Sequence, residues 1–464
     1  MSQNTKKWLC ILGIICLYLV LSNIPVGDEL KPTAQKAMAL MVCAVLTWSL
    51  DLLPLALASV LFTVLTVPLG LVKLPKVMAN FADPSIFFVF AMFCNAIAFQ
   101  NSGLCQRIVL WTTMKSKGNP RKLSFYLMLV TTIISMVLAD IPAIAMMYPV
   151  GLMLLEKNGC VPGESNFGRT LMLGLPLASL IGGIGTPSGS SMNVMTLTLL
   201  QSTANISVSF FHWSVIGIPM ALVLIVATWF ILQKTYPSEL TELKGIEAIC
   251  NDYECLGPIT RKEWNYIIVF FINFTLWATD SIHHTPLPVI AVIAATLFCL
   301  PNMGLIEWKK DRNRVGWDIL MLIGASTAIG KIIWQEGGSL WLAETCLGNI
   351  TMLPVAGIIA AVCVFTIAVH LLIPVNTAIV AVLLPTLVSL ASMKGINPAL
   401  LAIPLGFSVS ASLLLPLGPV PLVTFPAGYY KMYDLFKPGC IISLVWVGVM
   451  VVAMLGIAVP IGLL

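Results

Sequence analysis

The chain alternates long apolar runs with short polar punctuation. Cutting it where charge, glycine or proline clusters interrupt leaves stretches near 8–26, 36–52, 54–72, 85–114, 170–200, 213–233, 264–281, 286–303, 316–348, 398–430 and 439–464. A hydrocarbon core takes about 20 apolar residues per helix, so the pattern predicts about 11 transmembrane helices. Two further apolar stretches, 122–156 and 352–394, carry a polar, proline-containing break in the middle: Ala139-Asp140-Ile141-Pro142 and Pro374-Val375-Asn376-Thr377. Halves of only about 12–20 residues suit two re-entrant hairpins better than spans. The first segment follows Lys6 and Lys7 without an A-x-A cleavage site and reads as a retained signal anchor.

Composition narrows the class. The 464 residues are 58% hydrophobic and 10% charged, with mean hydropathy +0.96. Soluble domains run at about 45–50% and about 25%, so an all-α polytopic membrane protein is expected and a soluble enzyme is excluded. The net charge of +5 points to no nucleic acid; it concerns sidedness. With the N-terminus inside, 18 of the 25 basic residues fall in cytoplasmic segments. Five (Lys31, Lys36, Lys73, Lys76 and Lys394) fall outside, and Arg107 and Lys331 lie within spans. The positive-inside bias therefore predicts a multi-pass protein of the plasma (inner) membrane with a cytoplasmic N-terminus. Most of the twelve cysteines sit singly in apolar runs as small hydrophobes. Cys250 and Cys255 share a polar loop with no further ligands, which favours a plain loop over a metal site.

An internal repeat is visible. Asp140 and Asn376 each stand nine positions before a proline (Pro149 and Pro385), at an offset of 236. Gln100-Asn-Ser-Gly103 and Gln335-Glu-Gly-Gly338 are offset by 235. The expected organisation is a first inverted repeat over 1–233, a cytoplasmic linker over 234–263 and a second inverted repeat over 264–464. Each hairpin precedes another broken span: Gly182–Asn193 within 170–200, and Leu415-Pro-Leu-Gly-Pro-Val-Pro-Leu422 within 398–430. Such backbone survives at membrane depth only where protein buries it or it lines a cavity. Paired breaks are where secondary transporters bind their solutes.

The hairpin tips, Gly182–Asn193 and the Trp317-Asp318 start of a long helix resemble the divalent anion/sodium symporter family. That resemblance covers nearly the whole chain and implies carriage of dicarboxylates, citrate or sulfate, an elevator-type movement, a homodimer, and Na+ as coupling ion with no other cofactor. It implies a substrate set of Asn376, Thr377, Thr186, Pro187 and Asn193. It also implies an ion set of Asp140, Ala139, Gly183, Gly185, Asn376, Ala411 and Ser412. The second tip keeps Asn376-Thr377 of the family's Ser-Asn-Thr; the first, Ala139-Asp140-Ile141, keeps none of it.

An ionisable residue at membrane depth is a functional candidate by default. Asp140 suits a proton carrier, a charged sodium ligand, or a helix cap before Ile141-Pro142. Lys331 fits snorkelling or a structural ion pair better than substrate contact. His370 fits a hydrogen-bonded packing residue, with proton coupling as its functional alternative. A cation/proton antiporter using Asp140 is the competing transport reading. An intramembrane hydrolase lacks support: Asp140 has no intramembrane acidic partner, and H-E-x-x-H is absent. A Walker A loop is absent too, so ATP is not expected to be the direct energy source, and the chain is expected to be a transporter and no enzyme.

Overall fold

The computed structural model describes residues 3–25, 30–50, 52–243, 253, 255–347, 352–371, 375–416 and 418–460. Pro374 of the second tip, Leu417 and Cys250 lie outside them. Among the described residues the secondary structure is helical throughout.

The first half carries α1 (Gln3–Asn23), α2 (Pro32–Ser49), α3 (Leu55–Leu65), α4 (Leu74–Met78), α5 (Pro84–Ser102), α6 (Leu104–Lys115), α7 (Pro120–Leu138), α8 (Asp140–Lys157), α9 (Asn166–Gly183), α10 (Ser191–Ala204) and α11 (Phe210–Thr235). The second carries α12 (Arg261–Ala278), α13 (Leu287–Phe298), α14 (Trp317–Gln335), α15 (Gly338–Leu347), α16 (Val355–Val369), α17 (Asn376–Lys394), α18 (Ala399–Val409), α19 (Pro419–Thr424) and α20 (Phe436–Ala453). Among the described residues, six helical stretches are long and apolar enough to cross a membrane: Leu74–Ser102, Pro120–Leu138, Phe210–Thr235, Trp317–Gln335, Asn376–Lys394 and Met432–Ala458. The expected spans 54–72 and 286–303 hold helices of only 11 and 12 residues. Expected spans 85–114 and 316–348 are each interrupted, at Gly103 (φ +92°) and Gly337 (φ +87°). Both glycines take the left-handed conformation that closes a helix and that a side chain would strain.

Packing is reciprocal between the halves. Both arms of the first hairpin, α7 and α8, pack on α9, and both arms of the second, α16 and α17, pack on α18. Beyond each break the chain crosses over: α10 packs on α17 and α18, whereas α19 packs on α8 and α9. The same exchange holds α5 against α13 and α14 against α3. α11 and α20, the last helices of the two halves, pack on each other.

Polar ties finish the ends. Arg107 forms a two-pronged pair with Glu263 (2.7 and 3.1 Å) and donates to the carbonyls of Gly257 and Pro258 (2.9 and 3.2 Å). Lys331 pairs with Asp83 at 3.2 Å, and Asp83 caps α5 by accepting from the Ser85 amide. The in-span lysine thus serves a structural ion pair. Near the start of α9, Glu239 accepts from Ser165 Oγ and, at 2.8 Å, from the Phe167 amide. Burial pushes its carboxyl up, but these hydrogen bonds outweigh that and hold it below the ordinary range. Tyr236 ties the halves by donating to the Asp434 carbonyl at 2.7 Å.

Candidate functional site

The first hairpin turns at Ala139, a non-glycine residue at φ +72°, ψ 157°. Backbone in that region is strained, and Asp140 follows as the first residue of α8, 8% exposed. Asp140 Oδ1 accepts from the Ile141 amide at 2.9 Å, and Oδ2 accepts from Ser190 Oγ at 3.4 Å. Its own carbonyl accepts from Ser179 Oγ at 2.6 Å, and Ser135 Oγ donates to the Ser179 carbonyl at 2.6 Å. Serines on α7 and α9 thereby lock the tip against the half-helix behind it.

Between α9 and α10 the chain unwinds from Ile184 to Ser190, with a single 3-10 turn at Pro187–Gly189. Its carbonyls are claimed from within. Asn193 Nδ2 donates to the carbonyls of Gly183 (2.7 Å) and Thr186 (2.8 Å), and Trp213 Nε1 donates to that of Ile184 (3.0 Å). Thr186 Oγ1 donates to the Met136 carbonyl, and Ser188 Oγ does so at 3.1 Å. A Cβ at Gly189 would stand 2.6 Å from the Gly183 carbonyl oxygen, and one at Gly217 2.4 Å from that of Ile184. The glycines permit backbone to lie on backbone where the loop folds over itself.

The second break opens earlier than its Pro-Gly run predicts. α18 stops at Val409, Ser410 to Leu413 carry on without helix, and α19 starts at Pro419. The Val409 carbonyl accepts from His370 Nε2 at 2.6 Å. That bond makes His370 a hydrogen-bonded residue joining the end of the first hairpin arm to the break. The Ala411 carbonyl accepts from the Leu413 amide (2.8 Å), and Ser412 Oγ lies where a Cβ on Gly418 would meet it at 2.6 Å. At the tip, Thr377 Oγ1 accepts from Ser326 Oγ of α14 at 3.2 Å. Asn376 Oδ1 is buried with no hydrogen-bond partner among the described residues.

The expected site residues therefore fall into three groups. Asp140, Gly183 and the first loop touch: a Cβ on Gly183 would sit 3.5 Å from Asp140 Cβ. Thr186, Pro187 and Asn193 form the loop's interior, with the Thr186 hydroxyl and the Asn193 amide nitrogen engaged in holding it; Gly185 is packed between Met136 and Gly217. Asn376, Thr377, Ala411 and Ser412 belong to the second tip and break. The halves meet where Ser410 Oγ donates to Ser190 Oγ at 3.3 Å, one hydroxyl removed from Asp140. Ser190, Ser410, Ser179 and Ser326 are not among the expected site residues; Ser190 lies inside the Gly182–Asn193 break and Ser410 in the Ser-Val-Ser-Ala-Ser run at 408–412, whereas Ser179 and Ser326 carry no local signal. A small cavity of about 30 Å³ opens against the first tip, lined by Asp140, Ser188 and Ser190 together with Phe88, Phe93 and Ile319. No group of three or more His, Cys, Asp or Glu among the described residues could hold a metal ion.

Helices broken in pairs, with the breaks drawn together beside a buried carboxylate, define a polytopic membrane transporter. The chain belongs to the sodium:sulfate symporter transmembrane-region family, whose sequence pattern matches residues 5–463. It is a transporter, not an enzyme. It is 26% identical to an uncharacterized transporter of Haemophilus influenzae, over 96% of this chain and 95% of that protein. It is also 26% identical to the sodium-dependent dicarboxylate transporter SdcS of Staphylococcus saprophyticus, over 94% and 88%. SdcS of Staphylococcus aureus strain USA300 is 25% identical, over 86% and 81%. Among solved structures, the YdaH transporter of Alcanivorax borkumensis shares the fold, with TM-score 0.56 and 14% identity over 90% of this chain and 98% of that one.

Proposed function

We propose that the protein is a secondary active carrier that moves a small anion, of the carboxylate or sulfate class, down a sodium gradient across the inner membrane. The observation that carries this reading is the meeting of the two breaks, Ser410 on Ser190 and Ser190 on Asp140. A site shared between two halves can open to one side and then the other as the halves' breaks move together. Asn376 and Thr377 hold the anion, with Asn193, Thr186 and Pro187 shaping the opposing wall. Asp140, with the carbonyls of Ala139, Gly183 and Gly185, takes up the first coupling cation; Asn376, Ala411 and Ser412 serve the second half. The reciprocal packing supports two repeats of common layout; the family resemblance supports an elevator movement of the hairpins in a homodimer, and the positive-inside bias supports a cytoplasmic linker and N-terminus. The names of the SdcS relatives support sodium coupling.

Uptake of labelled succinate, citrate and sulfate into proteoliposomes, with sodium and pH gradients imposed separately, tests the reading. Sodium-driven uptake of an anion that is lost in Asn376→Ala is the expected result. A second reading, cation/proton antiport, is favoured by the lack of any basic partner for Asp140 among the described residues. Sodium-dependent proton efflux with no anion uptake would select it.

A further inference from the structure

We propose that the solute carried bears a single negative charge, because Asp140 fixes at the first tip the charge that a second anionic group would bring. The proposal rests on the anion-carrier reading above and sharpens its substrate class.

Asp140 and Asn376 occupy matching places in the two halves, each opening the second arm of its hairpin. One tip is thus neutral and the other carries a carboxylate. The small cavity of about 30 Å³ lies directly against the charged one. Among the described residues, no lysine, arginine or histidine stands in its wall. Lys331, the in-span lysine on the same helix as Ile319, is engaged with Asp83. Opposite Asp140 the wall is apolar, made by Phe88, Met92, Phe93 and Ile319. The hydroxyls of Ser188 and Ser190, which line the same space, already donate to the Met136 carbonyl and to Asp140.

An ionised carboxylate offers about four acceptor positions. Asp140 uses two of them, for one amide at 2.9 Å and one hydroxyl at 3.4 Å. It therefore has capacity for a cation and none for a second anion. A cation bound at a neutral tip would leave a net positive charge to receive a carboxylate. The same cation at Asp140 is already neutralised, so with or without it the first tip stands one charge unit more negative than the second. Unbalanced charge is costly in a buried site that must cross hydrocarbon. The solute that fits has one anionic end for Asn376 and Thr377 and an uncharged end toward Asp140 and the phenylalanines.

The test uses the full-length protein in proteoliposomes with pairs of equal-length probes: malonate and malonamate, succinate and succinamate, glutarate and glutaramate. Each pair differs by one carboxylate replaced with a neutral amide. The monoanion is expected to be favoured by about tenfold or more in initial rate, and Asp140→Asn to shift that ratio toward the dianion by about tenfold or more. A wild-type protein that moves the dianion as well as or better than its partner overturns the proposal even if the variant does not fold. An unchanged ratio in folded Asp140→Asn overturns it as well. If dianions move and Asn376→Ala abolishes this, the carrier reading stands and the single-charge proposal alone falls. If neither member of any pair moves, both fall.

Discussion

At the first break the carbonyls of Gly183, Ile184 and Thr186 are held by Asn193 and Trp213, and the Thr186 hydroxyl is spent on Met136. At the second, His370 secures the Val409 carbonyl and Ser326 reaches Thr377, while Asn376 Oδ1 stays buried without a partner among the described residues. The first break is knitted into a loop by its own asparagine and a tryptophan beside a carboxylate, and the second is tied by fewer bonds. Each half keeps one buried amide oxygen, Asn193 Oδ1 and Asn376 Oδ1, with no partner among the described residues. Two segments of common layout can thus divide their labour, the first holding shape and charge, the second, less tied, keeping a free amide oxygen that suits a cation or a donor.

The largest expected contrast lies between the two asparagines. Asn193→Ala removes two hydrogen bonds inside a fully buried loop, at about 1–3 kcal/mol for each carbonyl left bare, so folded yield and melting temperature should drop together. Asn376→Ala should leave the melting temperature within a few degrees and cut anion uptake by about 100-fold or more, a transition-state loss of about 2.7 kcal/mol. Thermal melts and uptake on the same preparations decide it, and the reverse pattern would dissolve the division.

Glycines sharpen the same comparison. A methyl at Gly189 meets the backbone oxygen of Gly183, whereas one at Gly418 meets the rotatable hydroxyl of Ser412. Gly189→Ala should cost about 1–3 kcal/mol by overpacking, and Gly418→Ala clearly less, as read by denaturation in detergent. Equal losses would show the second break to be as rigid as the first. A smaller and opposite effect is expected at the tip: Ala139→Gly relieves the positive φ and should be neutral to stabilising by up to about 1 kcal/mol.

The smallest effect concerns acid. Glu239 is held below its ordinary range in the folded protein, so its contribution is complete above the unfolded value of about 4.3. It is lost as pH falls through the lower folded value. Wild type should lose melting temperature between about pH 5 and pH 3 more steeply than Glu239→Gln.

Much of this layout was legible in the chain. Both tips were marked by a polar residue and a proline inside apolar runs, and the first break by its glycines. The start of the second break was not. Ser408 to Ser412 contain no glycine or proline, and the helix ends there for tertiary reasons: His370 draws off the Val409 carbonyl, and α20 approaches so closely that a Cβ on Gly439 would stand 1.9 Å from the Leu413 oxygen. The Ser190–Ser410 contact joins residues 220 positions apart and leaves no local trace. Likewise Phe88 and Phe93 read as ordinary span residues, since nothing in an apolar run tells which side faces a cavity.

The exchange of α10 and α19 between halves also bears on how the protein is made. When α10 leaves the ribosome its partners α17 and α18 do not yet exist; about 170 residues separate its end from the start of α17. At roughly 5–20 residues per second, that is a wait of roughly 10–30 s in the membrane with the first loop half-covered. During biosynthesis the nascent first half is therefore the exposed species, the one on which membrane quality control has time to act.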